Sequence, residues 1–168
     1  MKKRITPGLE HLISAGTPDG LLTQVLRGHL IIESLLVKLI ELKLERAEKF
    51  DLFQLSFPQK INLCLSLNLI REDIVKLLKE LNLLRNRYSH ELGYILDFKE
   101  TIQLFDCAYE IHGIEFSEEL LSKMDGFSHE EIELKLEIDE LISEIFNATA
   151  ACLDNEIEVN GGKAPLLG

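Results

Sequence analysis

The sequence is short of cysteine, of long apolar runs and of the usual cofactor motifs, and each shortage removes a class of protein. Three cysteines with no CxxC pair argue against a disulfide framework. Cys64, Cys107 and Cys152 are expected as buried, reduced thiols of a cytoplasmic protein. The best candidate for a membrane span is interrupted by Glu33, Lys38, Glu41 and Lys43, short of the ~18 uninterrupted apolar residues a span needs. Met1-Lys2-Lys3-Arg4 resembles the start of a leader peptide, yet Thr6-Pro7-Gly8-Leu9-Glu10-His11 stands where its apolar region belongs. No glycine-rich phosphate loop, nucleophile elbow or metal motif occurs, which argues against a small-molecule enzyme. No metal or other cofactor is expected, because His29 and Glu33, one turn apart, lack a second pair of ligands.

Positive charge is also scarce, but unevenly so. The net charge is −11. Residues 1–112 carry 15 Lys/Arg against 15 Asp/Glu, and residues 113–168 carry 3 lysines against 14 acids. An evenly acidic chain is a poor nucleic-acid binder, since phosphate affinity comes mainly from basic contacts. Here the first two-thirds is neutral, with Arg71, Lys76, Lys79, Arg85, Arg87 and Lys99 close together in sequence. The acidic third reads as a solvated helix face that keeps the chain in solution.

What is present is helical periodicity. The chain of 168 residues suits one all-α domain, a bundle of four to five main helices with short additional helices. Residues 1–18 are expected as an arm with a short helix, 19–154 as the bundle and 155–168 as a flexible tail. A first helix of nearly thirty residues is expected from Asp19-Gly20 toward Lys49, the longest of the bundle. Leu22, Val25, Leu26, His29, Ile32, Leu36, Leu39, Ile40 and Leu44 recur along it at spacings of three and four. Asp51–Leu55 is a connector. Ser56-Phe57-Pro58-Gln59 spells a capping box for a helix ending near Asn68. The next helix starts near Arg71-Glu72-Asp73, with Ile74, Leu77, Leu81, Leu84 and Tyr88 toward the core, and Gly93 placed to close it. Asp97-Phe98-Lys99-Glu100 opens a helix to Gly113, a short helix spans about 117–124, and Ser128-His129-Glu130-Glu131 starts a last helix reaching roughly Leu153. Ile132, Leu134, Leu136 and Ile138 alternate as in a strand, but Glu, Leu and Lys favour helix there. The expected core is Leu26, Ile32, Leu36, Leu63, Leu77, Leu81, Leu84, Phe105 and Ile145.

The one stretch that suggests chemistry is Leu83-Leu84-Arg85-Asn86-Arg87-Tyr88-Ser89-His90-Glu91-Leu92. Arginine keeps its charge and offers a planar fork that matches phosphate oxygens. Histidine can take a proton near neutral pH. Together they suit attack of an RNA 2′-hydroxyl on its adjacent phosphate, with no metal needed; DNA lacks that hydroxyl. At about 100° per residue, Arg85 and His90 point roughly 140° apart, whereas Asn86 and His90 share a face. A joint site therefore calls for a long reach, a distorted helix end or a second subunit. Val75, Leu78 and Leu83 fall outside the core stripe and are expected on flanks a partner covers. A purely structural role is the competing reading: His90 caps the helix end, Arg85 bridges to Glu33 or Glu91, and Asn86 bonds backbone.

Arginine, four residues, then histidine, with asparagine after the arginine, resembles the signature of the HEPN superfamily, over residues ~20–153. Phe57-Pro58-Gln59-Lys60-Ile61 leading into Leu67-Asn68-Leu69-Ile70 is similar to the segment before the motif in stand-alone bacterial members and in the mannitol-repressor-like branch. The resemblance implies a metal-independent ribonuclease of toxin or defence type, with Arg85 and His90 catalytic and Asn86, Arg87 and Tyr88 supporting. It also implies a homodimer that lines one cleft with two motifs, an RNA substrate and a neutralising antitoxin or other protein partner. The alternative is a non-catalytic regulatory or protein-interaction module of the same fold. One toxin subgroup has a tyrosine two residues after the histidine; here Leu92 stands there.

Overall fold

The computed structural model describes residues 20–90, 98–115 and 132–166, and among them the chain is helical with no strand. The elements are α1 (Leu21–Lys43), α2 (Phe57–Ser66), α3 (Glu72–His90), α4 (Phe98–His112) and α5 (Ile132–Val159), with 3-10 turns at Ala47–Lys49 and Leu52–Gln54. The all-α expectation is met. The arm at 1–18, Gly93, the Asp97 cap, the 117–124 helix and the Ser128 capping box lie outside the described residues.

α1 is the spine, packing on α5, α2 and α3, while α4 closes against α3 and α5. Val25, Ile32, Leu35, Leu36, Leu39 and Ile40 are wholly buried along it. It has 23 residues and is not the longest helix; that is α5, with 28. α1 stops at Lys43 because Leu44 turns extended and packs against the core, sending the chain into the two 3-10 turns. At the other end, α5 runs on to Val159 rather than to Leu153. Ile157, fully buried, continues its apolar stripe, and Gly161, at φ 85°, supplies the left-handed turn beyond the helix end.

The capping box forms as spelled: Ser56 accepts from the Gln59 amide, and Gln59 Oε1 accepts from the Ser56 amide at 2.8 Å. Asn68, at φ 53°, ends α2, and the Leu69 amide reaches back to the Cys64 carbonyl. The strand-like alternation at 132–138 lies within α5, since the helical stripe through Leu141, Ile145 and Thr149 carries the burial.

Several side chains differ from expectation. Leu26 and Leu63 are half-buried rather than central, and Leu22 is exposed. Cys64 and Cys107 are buried but Cys152 is only half-buried; all three are free thiols. Burial pushes the Cys64 thiol up to about 12, so it is chemically inert. Val75 and Leu78 are not flank residues: both are buried within the chain itself, and only Leu83 stays open at 47% exposure. The helix packs its neighbours around a wider arc than a single stripe.

Gly28 is where α1 and α5 approach most sharply. A methyl group built there lies 2.5 Å from Phe146 Cγ. Alanine is the better helix former by about 1 kcal/mol, yet overpacking typically costs 1–3 kcal/mol or more. Gly28→Ala is therefore expected to lower stability despite its propensity gain. A urea midpoint at or above that of the parent shows that Phe146 can step aside.

Candidate functional site

The motif occupies the last turns of α3, where the helix leaves the hydrophobic core. Leu81 and Leu84 are buried; Arg85, Asn86, Arg87 and Tyr88 are half-buried; Ser89 and His90 are exposed. Tyr88 packs against the core, as its place in the stripe predicts. Arg85 lies on the side of α3 that carries Leu78 and Leu81, and His90 on the side of Leu83, consistent with the ~140° between them. No hydrogen bond joins Arg85 to His90.

Arg85 ends in a polar layer between α1, α2 and α3. Its Nη1 donates to Asn86 Oδ1 at 3.0 Å. One turn earlier, Asn82 Oδ1 lies 3.1 Å from Nε2 of His29, which is buried against the ring of Phe57, centroids 4.2 Å apart. Lys60 is 1% exposed, and its Nζ donates to Glu33 Oε1 and to the Leu55 carbonyl, each at 2.6 Å. Glu33 was a candidate partner for Arg85; Lys60 holds it instead. Asn86 binds Arg85 rather than backbone. Arg85 thus meets no carboxylate among the described residues.

His29 and Lys60 were not legible as a pair of buried polar groups. Histidine at a core position of an amphipathic helix was visible in the α1 spacing, but its partner, Asn82, is 53 residues away. Lys60 sits in a helix whose stripe could have warned that position 60 neighbours buried Ile61 and Cys64.

Desolvation lowers the pKa of His29 from its ordinary 6.5; Arg85 and Lys60 act the same way, while Asn82 and Glu33 oppose them. Burial likewise lowers that of His112, whose Nε2 lies 3.2 Å from Thr149 Oγ1, with Arg71 adding to the shift and Asp73 opposing it. A histidine depressed in the folded state stays neutral while the unfolded chain takes up a proton. Its stabilising contribution is full above pH 6.5 and is lost as pH falls through 6.5 toward the folded-state value. The thermal midpoint is expected to drop between pH 7.5 and 5.5, above the range where carboxylates titrate. His29→Gln, which cannot titrate, should flatten that slope; an unchanged slope assigns the acid sensitivity elsewhere.

Among the described residues no helix is long and apolar enough to cross a membrane. Comparison with protein-family models, with curated proteins and with solved structures found no match.

Proposed function

We propose that the chain is a HEPN-type, metal-independent endoribonuclease of toxin or defence character, acting as a homodimer. His90 takes the proton of an RNA 2′-hydroxyl, whose oxygen attacks the adjacent phosphorus. The P–O bond to the following nucleotide breaks, leaving a 2′,3′-cyclic phosphate, and the departing 5′-oxygen takes a proton from water to become a hydroxyl. Arg85 stabilises the charge that builds on the phosphate oxygens. What carries this reading is the Arg85-Asn86-x3-His90 spacing at an exposed helix end, with an arginine that meets no carboxylate among the described residues.

Two features support a dimer within this reading. Arg85 and His90 diverge within one chain, and Leu83 leaves an apolar side chain on the His90 side of α3. A two-fold pairing of α3 ends brings one protomer's Arg85 toward its partner's His90 and covers Leu83. Light scattering at micromolar concentration is expected to give twice the 19.2 kDa chain mass; a clean monomer that still cuts RNA sinks the paired site. Cleavage is expected in EDTA, on RNA and not on DNA of the same sequence. Expression should arrest growth, and His90→Ala should relieve the arrest.

A second reading, the non-catalytic regulatory or interaction module, is favoured by Glu137, Glu140 and Glu144, an exposed carboxylate row on α5 that suits a basic protein partner. Under it, expression is harmless and RNA stays intact. An antitoxin using that row is compatible with the nuclease as well.

A further inference from the structure

The polar layer behind Arg85 has a definite direction. Both side-chain oxygens that α3 presents there are already engaged: Asn82 Oδ1 accepts from His29 Nε2, and Asn86 Oδ1 accepts from Arg85 Nη1. The amide nitrogens of Asn82 and Asn86 make no hydrogen bond among the described residues, and neither is shut off from solvent. An asparagine whose oxygen is held inward turns its two N–H groups outward. Residues 82, 85 and 86 are spaced three and four apart, so their side chains are neighbours on the helix surface. Their unengaged groups are all donors. Glu33, whose charge acts on His29, is tied to Lys60.

The geometry points to an anion site formed by Asn82 Nδ2, Asn86 Nδ2 and the Arg85 guanidinium, with buried His29 as the positioning residue that fixes the polarity of Asn82. The class of ligand is a tetrahedral oxyanion, and within the nuclease reading it is an RNA phosphodiester. Assigning it to RNA rests on that reading; the anion site itself does not. Asn82, Asn86 and His90 follow one another at i, i+4 and i+8, so a phosphate seated midway between the first two lies about six residues, ~9 Å along the axis, from the histidine of the same chain. Among the described residues the half-buried Arg85 guanidinium meets no carboxylate, and a bound oxyanion supplies an opposite charge.

The test uses sodium sulfate on the full chain, followed by side-chain amide and guanidinium NMR resonances, with sodium chloride at equal ionic strength as control. The expected result is a saturable shift of the Asn82, Asn86 and Arg85 signals with sulfate alone. Asn82→Leu should weaken sulfate binding about 10-fold, the loss of a charge-assisted hydrogen bond. Asn82→Asp, which keeps an oxygen for His29 and replaces the outward donor by an acceptor, should abolish it. His29→Gln can still donate to Asn82 and should bind nearly as the parent does, whereas His29→Leu should not. Circular dichroism on each variant separates lost binding from lost fold. Unshifted resonances, or wild-type sulfate affinity in folded Asn82→Leu, overturn the site. If RNA is cut by Arg85 and His90 and Asn82→Leu leaves KM unchanged, the site fails while the nuclease stands. If sulfate binds as described and RNA is never cut, the site stands and the nuclease reading falls.

Discussion

RNA cleavage is expected to fall by about 10²–10⁴-fold when either Arg85 or His90 becomes alanine, with helical circular dichroism unchanged. The two side chains perform different parts of one step, proton removal and charge stabilisation, so losing either raises the barrier. His90 is exposed and its side chain makes no hydrogen bond among the described residues, so its removal leaves the thermal midpoint almost where it was. Arg85→Lys should be nearly as damaging as alanine. A point charge cannot supply two parallel N–H groups to a phosphate, nor hold Asn86 Oδ1 in the same geometry. Mixing Arg85→Ala with His90→Ala protomers gives a sharper outcome. If each active centre draws one residue from each chain, mixed dimers regain one intact centre and part of the activity. If the structural reading is right instead, the parent never cuts RNA, and Arg85→Ala lowers stability by ~1–3 kcal/mol through its lost bond and packing.

Lys60→Ala is expected to be the most destabilising single change in the polar layer, at about 3 kcal/mol, the low end for a broken buried pair. Lys60 is 1% exposed, while Glu33 keeps 28% exposure and can recover some hydration, which is why the upper end is not reached. The lost ammonium also leaves the Leu55 carbonyl without its donor, at the point where the second 3-10 turn enters α2. At the usual slope for chains of this size, the thermal midpoint should fall by roughly 6–12 °C. Lys60→Met keeps most of the stem packing and should cost less. Adding Glu33→Gln to Lys60→Met should restore part of the loss, because the uncompensated carboxylate is then gone. Strictly additive losses would place the energy in packing rather than in the charge pair. A Lys60→Ala midpoint equal to that of the parent would mean that the pair contributes nothing.

Much of the fold was legible because its signals are local. Ser56-Phe57-Pro58-Gln59 carries its own cap, since both bonds join residues three apart. The α3 stripe of Ile74, Leu77, Leu81 and Leu84 lies on one face at 3.6 residues per turn, and all four are buried. Five main helices within the described residues follow from the same periodicity. Arg85 and His90 were found as a spacing, and their divergence was arithmetic on that spacing.

The tertiary structure decided what depends on who packs against whom. Periodicity gives the centre of a buried arc but not its width, so Val75 and Leu78 read as flanks although neighbouring helices cover them. Helix lengths escaped for the same reason: α1 ends where Leu44 is drawn to the core, and α5 persists because Ile157 finds it. The space around Gly28 is closed by Phe146, which the packing of α5 brings over it. The partners of His29 and Lys60 lie 53 and 27 residues away, and no pattern along the chain joins them. A hydrogen bond between distant residues depends on the angle at which two helices cross, and that angle is set by the packing of all their side chains at once.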